Sequence, residues 1–258
     1  MNYLRAGLDA TFGSDISMDG ARVHVPGSLA IRLSSVFGNR RIHRLMDPFL
    51  TLGAVVVDVG ANIGVNTVYV AQRVGPRGRV WAVEPAADNL AVLRDNVERN
   101  GLGNVTVAPV AAGRTSETRQ FFLRGAISAV NSFYEESVYA QVTDVVKVQS
   151  EPLDVLVEGN VDLVKIDVEG AELDVLGGMT RLLRSPHIRL VVEWHPLLQE
   201  KAGYAADALP RALLDLGFEL QGASHSSVKP VTRQNVPTLV EQLRRTGRPV
   251  DLLATRTS

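Results

Sequence analysis

The chain of 258 residues contains no cysteine, which excludes disulfides, thiolate zinc sites, iron–sulfur clusters and cysteine nucleophiles. It also lacks an apolar run of the ~20 residues that span a bilayer, and its first ten residues lack the apolar core of a secretory signal peptide. The formal net charge is only -1, so no overall field attracts nucleic acid or an anionic membrane. These absences predict a cytoplasmic protein without a nucleic acid or membrane partner, and they leave a homodimer open.

Hydrophobic residues make up 45% of the chain, enough for one large α/β domain with a substantial core. Beyond residue 50, β-branched apolar runs alternate with segments of helical spacing. Strands are predicted at 55–58, 79–84, 105–107, 161–167, 188–193, 218–220 and 250–254, and helices at 62–74, 88–100, 171–183 and 209–216. This alternation predicts a parallel, doubly wound sheet with right-handed crossovers, and the polar stretch 114–145 is expected to form a hairpin and a loop.

The first 50 residues are predicted to be an extension that precedes the main domain, residues 51–258. Weak alternation from Asp15 to Val25, with a turn at Asp19-Gly20, favours a hairpin. A helix is predicted over 40–52, on the spacing of the apolar residues Ile42, Leu45, Phe49 and Leu52.

A glycine turn follows the first predicted strand of the main domain. The apolar run ends near Asp58, and Gly60 and Gly64 follow before a helical pattern begins. Such a run fits a strand buried on both faces, the glycines let a ligand approach the backbone, and the free N–H groups of the helix point at that ligand. The next strand ends at Glu84, where an acid would meet ribose hydroxyls. Together these features predict a site for a nucleotide-like molecule.

The details of the turn favour one nucleotide-like ligand over another. The sequence from Gly60 to Gly64 lacks the middle glycine that lets a pyrophosphate sit on the backbone. Asp58 would repel phosphate and favour a cation. S-adenosylmethionine carries a ribose, a base and a positively charged amino acid end, so it fits better than a dinucleotide. A nicotinamide-dependent oxidoreductase and a catalytically silent S-adenosylmethionine-binding partner protein remain as alternatives.

Two further groups of polar residues lie at the ends of later strands. Asp167 is expected near the ligand, because ligands bind at the carboxyl ends of such strands, although it could also act only as a helix N-cap. Lys165 could pair with carboxylates inside the sheet or act in catalysis. His195 titrates near neutrality and can accept a proton from an alcohol, although it could also be a surface loop residue.

Three sequence blocks together resemble the signature blocks of FkbM-type methyltransferases, over roughly residues 50–200. The blocks are Asp58-Val59-Gly60-Ala61-Asn62-Ile63-Gly64, Lys165-Ile166-Asp167-Val168-Glu169-Gly170-Ala171-Glu172 and Val192-Glu193-Trp194-His195-Pro196. The resemblance implies S-adenosylmethionine as cofactor and the Rossmann-like class I methyltransferase fold, an α/β fold with a mostly parallel, doubly wound seven-stranded sheet and an antiparallel last strand. It also implies O-methylation of a hydroxyl on a saccharide or a glycosylated natural product, with a substrate lid in the N-terminal extension.

The resemblance also assigns residues that bind the cofactor. Asp58 and Gly60 would hold the methionine end, Asn62 and Gly64 would shape the turn, and Glu84 would bind the ribose hydroxyls.

The adenine and the acceptor are assigned less directly. Because the segment after the third strand has no acidic or amide side chain, backbone groups near Val110 and Ala111 would bind the adenine. Asp167, Glu193 and His195 are the candidate catalytic residues. Two ways of activating the acceptor hydroxyl stay open. In the first, His195 is the general base, oriented by Glu193 or Asp167. In the second, a magnesium ion held by Asp167, Glu193 and His195 lowers the pKa of the acceptor hydroxyl.

Overall fold

The structure is a computed structural model, and it describes residues 14–18, 21–26, 39–125, 129–223 and 228–256. The strands in chain order are β1 Ser14–Met18, β2 Ala21–Val25, β3 Val55–Val59, β4 Arg79–Val83, β5 Val105–Ala108, β6 Ala111–Ala112, β7 Glu117–Leu123, β8 Asp144–Glu151, β9 Leu163–Ile166, β10 Arg189–Trp194, β11 Glu219–Ala223, β12 Val228–Val231 and β13 Val250–Thr255. The helices are 39–46, Val65–Val74, Ala87–Arg99, Leu153–Leu156, Glu172–Gly177, Pro196–Lys201, Ala208–Asp215 and Val236–Thr246.

The central sheet has the strand order β12-β11-β13-β10-β9-β3-β4-β5. The five strands from β10 to β5 are parallel, and β13 runs antiparallel between β10 and β11. The predicted doubly wound sheet with an antiparallel last strand is confirmed. The predicted number of seven strands is wrong by one, because the edge strand β12 was missed. Three of its four residues are exposed and one is Pro230, so it lacks the apolar alternation of a strand but suits a sheet edge.

Helices cover both faces of the sheet, as the continuous apolar run of β3 predicts. On one face, Val56 packs with Tyr69 and Val70 of the helix Val65–Val74 and with Met46 of the helix 39–46. On the other face, Val57 belongs to a larger core that includes residues of the helices Glu172–Gly177 and Ala208–Asp215. The carboxyl ends of the parallel strands are left for the loops that follow them.

Two predicted helices are shorter than expected. The helix predicted over 40–52 ends at residue 46 and continues as a 3-10 turn, Asp47–Phe49. Pro48 disfavours helical backbone at the residue before it, and Leu52 is 72% exposed rather than inward. The helix predicted over 171–183 is α-helical only from Glu172 to Gly177. A Cβ at Gly178 would lie 2.0 Å from the carbonyl oxygen of Gly113, so this close backbone approach requires glycine.

The N-terminal hairpin is confirmed. β1 and β2 pair antiparallel, with Ser14 opposite Val25; the predicted turn at residues 19–20 lies outside the described residues. Asn96 ties this hairpin to the main sheet: its side chain accepts the N–H of His24 at 2.7 Å and donates to the carbonyl oxygens of His24 and Ile63. The boundary at residue 50 and the lid remain predictions.

A smaller sheet lies between β5 and β9 in the sequence. β7 and β8 pair antiparallel from Glu117 opposite Ser150 to Leu123 opposite Asp144, and β6 joins β8. The predicted hairpin is therefore present, but its second strand lies mostly beyond the predicted stretch 114–145. In the described part of the chain, no helix has the length and apolar character needed to span a membrane.

Candidate active site

A cavity of about 370 Å³ opens at the carboxyl ends of β3, β4, β9 and β10, a volume within the usual range for small-molecule sites. Its lining brings together six of the predicted cofactor-binding and catalytic residues, Gly60, Asn62, Glu84, Ala111, Asp167 and Glu193. The prediction that the strand ends meet at one site is therefore confirmed in position, while the role of each residue remains a prediction.

The glycine turn brings the loops after β3 and β9 into direct contact. Gly60 has a φ of +71°, and a Cβ there would lie 2.0 Å from the carbonyl oxygen of Asp167. Asn62 also has a positive φ, +51°, and its side-chain Oδ1 is buried without a hydrogen-bond partner among the described residues. Gly64 packs against Leu93 and is not part of the cavity wall. Strained backbone and an unsatisfied polar atom are features that functional sites concentrate.

Glu84 joins the turn after β3 to the loop after β4. Its Oε2 accepts the N–H of Asn62 at 2.9 Å, and its Oε1 accepts the N–H of Ala86 at 2.9 Å and the amide of Asn89 at 3.3 Å. Burial raises the pKa of Glu84, while the hydrogen bonds from the Ala86 and Asn62 backbone oppose that shift. The carboxylate is thus fixed in orientation at the cavity wall, where its remaining lone pairs can accept hydroxyl donors.

Asp58 lies behind the cavity instead of in its wall. It is 1% exposed, its Oδ2 accepts the hydroxyl of Thr67 at 2.6 Å, and its Oδ1 is 3.2 Å from the Nζ of Lys165. The same ammonium lies 3.6 Å from Asp167 and donates to the carbonyl oxygen of Gly60 at 2.9 Å. The alternative in which Lys165 pairs with carboxylates inside the sheet is therefore confirmed.

The charge state of Lys165 follows from these contacts. Burial alone would lower its pKa, but the charges of Asp58 and Asp167 outweigh burial and raise the pKa above its ordinary value. The ammonium therefore stays protonated at neutral pH, so Lys165 cannot accept a proton from a substrate. It stabilises the glycine turn and compensates the charge of Asp167.

Three carboxylates, which we call the acidic cluster, meet at one side of the cavity: Asp167, Glu169 and Glu193. One oxygen from each lies within 4.8 Å of the others. Burial and the neighbouring carboxylates raise the pKa of Glu169 and of Glu193 well above the ordinary value. Glu169 has a φ of +54°, and its Oε2 is buried with no hydrogen-bond partner among the described residues. Because three anions so close together repel one another, the cluster favours a shared proton or a cation.

His195 is not part of the acidic cluster or of the cavity wall. It is 3% exposed and is the N-cap residue of the helix Pro196–Lys201. Its ring meets the ring of Tyr139 edge to face, with centroids 5.6 Å apart. Burial lowers the pKa of His195, so the imidazole is neutral at pH 7. The metal-binding set predicted from the sequence therefore differs from the group found, which has Glu169 where His195 was expected.

The segment after β5 contributes to the wall differently from the prediction. Ala111 lines the cavity and Val110 does not. Asn131 and Phe133, which sequence analysis did not single out, also line it. The Nδ2 of Asn131 is buried without a hydrogen-bond partner among the described residues, while its Oδ1 accepts the N–H of Arg124. No motif marks these residues, because they come from an irregular loop.

The sheet with its inserted antiparallel strand, and the cavity at its carboxyl edge, define the class I S-adenosylmethionine-dependent methyltransferase fold. Residues 58–220 match the family model described as the methyltransferase FkbM domain. The chain belongs to the FkbM methyltransferase family. This confirms the resemblance found in the sequence blocks and argues against the nicotinamide-dependent oxidoreductase.

Individual relatives agree with this assignment. The hexuronic acid methyltransferase AglP of Haloferax volcanii is 31% identical over 168 residues, which cover 64% of this chain and 65% of that protein, just under two thirds of its length. The structure of a methyltransferase FkbM from Methylobacillus flagellatus aligns with a TM-score of 0.50 at 16% identity, covering 98% of this chain and 58% of that one. A ribosomal protein L11 methylase from Lactobacillus delbrueckii aligns with a TM-score of 0.50 at 11% identity, covering 86% of this chain and 79% of that one. At these identities the two structures show the fold alone.

Proposed function

We propose that this methyltransferase transfers the methyl group of S-adenosylmethionine to a hydroxyl of a saccharide or a glycosylated natural product. The observation that carries the proposal is the arrangement of one cavity, with Glu84 and the glycine turn on one side and the acidic cluster on the other. The similarity to a hexuronic acid methyltransferase supports a saccharide acceptor.

The residues of the cavity fit the proposed cofactor. Glu84 offers fixed carboxylate oxygens to ribose hydroxyls, and the unsatisfied Oδ1 of Asn62 and Nδ2 of Asn131 offer a hydrogen-bond acceptor and a donor. The acids around Lys165 favour a cationic ligand. Bound S-adenosylmethionine would supply an electrophilic methyl group on its sulfonium. The assignments of Gly60 to the methionine end and of Ala111 to the adenine remain part of this proposal. Asp58, Gly64 and Val110 lie outside the cavity wall, so in this proposal they act only by supporting residues that line it.

For the acceptor, the protein's task is to align a hydroxyl and to remove its proton. Alignment can contribute up to ~7–11 kcal/mol through effective molarity. Glu193 is the general base that the geometry favours, because it lines the cavity and its raised pKa brings it closer to the neutral range in which a base works best. Asp167 lies beside it, held by Lys165. His195 lies outside the wall, so its role as base would require another arrangement of the loop that carries it.

A second device, a bound magnesium ion, is favoured by the spacing of the acidic cluster. Asp167, Glu169 and Glu193 would hold the ion, since carboxylate oxygens are its usual protein ligands. It would lower the pKa of the acceptor hydroxyl and relieve the repulsion among the three acids. The general base and the metal ion make different predictions, because only metal-dependent methyl transfer is lost when a chelator is added.

The proposal also includes the partners and the location expected from the sequence. We propose a cytoplasmic enzyme whose partner is a small-molecule or saccharide acceptor, with no nucleic acid or membrane partner; a homodimer stays open. The near-zero net charge supports the part of the proposal that concerns nucleic acid and membrane partners.

The test is methyl transfer from labelled S-adenosylmethionine to a panel of glycosides, natural products, RNA and ribosomal protein, each with and without EDTA. We expect labelling of a hydroxylated glycoside, and calorimetry should detect S-adenosylhomocysteine binding but no NAD binding. Loss of transfer in EDTA that magnesium restores would select the metal device. Labelling confined to RNA or protein would contradict the proposed acceptor class, and absence of S-adenosylhomocysteine binding would contradict the proposed cofactor.

A further inference from the structure

The loop between β7 and β8 is held in place by one buried arginine. Through Nε, Nη1 and Nη2, the guanidinium of Arg124 donates hydrogen bonds to the backbone carbonyl oxygens of Phe122, Val130, Tyr134, Glu135 and Ala140. A guanidinium has five N–H donors, so the side chain uses its full capacity on this one loop. The segment 129–143 therefore has a fixed path although most of it forms no regular secondary structure.

This path places Tyr139 against His195, which follows Glu193 by two residues in the sequence. Its backbone N–H donates to Ser137 Oγ at 3.1 Å, and its ring meets the ring of His195 edge to face, with centroids 5.6 Å apart. The pKa of Tyr139 is raised, first by partial burial and then by the charges of Glu169, Glu193, Asp167 and Glu172. The phenol is therefore neutral at physiological pH, and its hydroxyl can donate a hydrogen bond but cannot act as a base.

Tyr139 nevertheless keeps 44% of its surface exposed and does not belong to the wall of the cavity described above. An aromatic ring that is held by one ring contact and remains partly exposed can stack on an apolar face of a ligand. The nearby carboxylates of Glu169 and Glu193 accept hydrogen bonds. A sugar ring has both matching features, an apolar C–H face and a rim of hydroxyl donors.

The charge balance of the cavity decides which sugar ring fits. Among the described residues, its wall contains five acids and two bases, and both bases are already paired, Lys165 with Asp58 and Asp167, Arg41 with Asp251. The five acids are Glu84, Asp167, Glu169, Glu193 and Asp251. A neutral sugar would donate hydroxyl hydrogens to these groups, whereas a carboxylate on the sugar would meet no unpaired base among the described residues of the wall.

We propose that Tyr139, with Glu169 and Glu193, forms an acceptor subsite for an uncharged, hydroxylated sugar ring, in which the tyrosine ring is the stacking platform. The inference rests on the proposed function and makes it more specific. It distinguishes this chain from its hexuronic acid methyltransferase relative, because the subsite disfavours an anionic acceptor. His195 is then a positioning residue that supports Tyr139.

The experiment compares the wild type with Tyr139→Ala, Tyr139→Phe and Val138→Ala, which alters the neighbouring exposed side chain. The acceptors are methyl glucoside and methyl glucuronide, assayed at pH 7 in parallel with EDTA and with magnesium, since a magnesium-dependent enzyme would be inactive in EDTA. We expect Tyr139→Ala to raise KM for the glucoside about tenfold, the loss of one stacking contact, with kcat and S-adenosylhomocysteine affinity unchanged. Tyr139→Phe should stay within about threefold, since it keeps the ring. Val138→Ala should match the wild type, and the wild type should prefer the glucoside.

Binding of the glucoside to the protein loaded with S-adenosylhomocysteine, measured by saturation-transfer NMR, gives a readout independent of turnover, and Tyr139→Ala should weaken it. If the wild type is active and Tyr139→Ala has an unchanged KM, the tyrosine ring is not a stacking platform. If the wild type prefers the glucuronide, the subsite does not select an uncharged sugar. If the wild type methylates neither glycoside nor any other saccharide yet binds S-adenosylhomocysteine, the proposed acceptor class fails, and the sugar subsite fails with it. If Tyr139→Ala loses S-adenosylhomocysteine binding while Tyr139→Phe and Val138→Ala keep it, the inference is also overturned, because the change would have damaged the cofactor site in general.

Discussion

The two sides of the cavity are built in opposite ways. On the side of the glycine turn, Gly60, Asn62 and Glu84 come from two consecutive strand ends, and Glu84 has a partner for each oxygen. On the acidic side, Glu169 and Glu193 come from separated segments, and the Oε2 of Glu169 has no hydrogen-bond partner among the described residues. Each side also keeps a buried oxygen without a partner among the described residues, Asn62 Oδ1 on the first and Glu169 Oε2 on the second, but only the second side gathers several like charges. This difference agrees with a cofactor that the family has in common on the first side and an acceptor that is specific to this protein on the second.

The largest expected effect is on the acidic side. Glu193→Gln keeps the shape of the side chain but removes the base, so kcat should fall by roughly 10²–10⁴-fold. In the wild type, kcat/KM should rise with pH until Glu193 loses its proton, at a pH well above the ordinary value for glutamate, because the raised pKa delays ionisation. This rise, the acid limb of the pH profile, should be absent in Glu193→Gln. A variant that retains both full turnover and the acid limb would remove Glu193 as the base.

A large effect on stability is expected at the glycine turn. Gly60→Ala forces a Cβ towards the Asp167 carbonyl oxygen, 2.0 Å away, at a positive φ, and should lower the free energy of unfolding by about 2–4 kcal/mol. Urea titration measures this change. Gly103→Ala is the matched control, because nothing lies within 4 Å of its added methyl group. Equal free energies of unfolding in the two variants would show that the loops after β3 and β9 can move apart at little cost in free energy.

A smaller effect is expected for the carboxylate that joins the two loops. Glu84→Gln exchanges one acceptor oxygen for an amide, which leaves a backbone N–H of Asn62 or Ala86 without an acceptor. The Kd for S-adenosylhomocysteine, measured by calorimetry, should rise about tenfold. Glu98→Gln, an exposed change on the adjacent helix, should leave it unchanged. If Glu84→Gln binds as tightly as the wild type, Glu84 has no part in the cofactor site.

The smallest expected effect concerns Glu172, which accepts the N–H groups of Val168 and Gly170 and the amide of Gln199. Burial raises its pKa from 4.5 to about 7. The folded state then binds the proton more tightly than the unfolded state, so stability is highest below pH 4.5 and falls as the pH rises towards 7. Glu172→Gln removes this loss, and we expect it to be stabilised relative to the wild type by about 1 kcal/mol more at pH 8 than at pH 6. Denaturant unfolding at the two pH values tests this, and an unchanged difference would contradict the raised pKa.

The sequence by itself predicted the doubly wound sheet, the glycine turn, Glu84 and the family, since each depends on residues close together in the chain. Alternating apolar runs specify strands and helices, and a strand–turn–helix motif spans only about ten residues. Asp58 shows the limit of this kind of inference. The sequence predicted that Asp58 lies at the end of a buried strand. Only the folded chain brings the Nζ of Lys165 to within 3.2 Å of Asp58 Oδ1, so that the two residues form an internal ion pair behind the cavity.

Only the tertiary structure decided the composition of the acidic side. Glu169 takes the position predicted for His195, because the left-handed backbone at residue 169 brings its carboxylate to Asp167 and Glu193, while His195 begins a helix and lies outside the cavity wall. The path of the segment 129–143 depends on the hydrogen bonds of Arg124 to five carbonyl groups. Local patterns determine elements, whereas contacts between distant segments depend on how those elements pack, and the acidic side consists of such contacts.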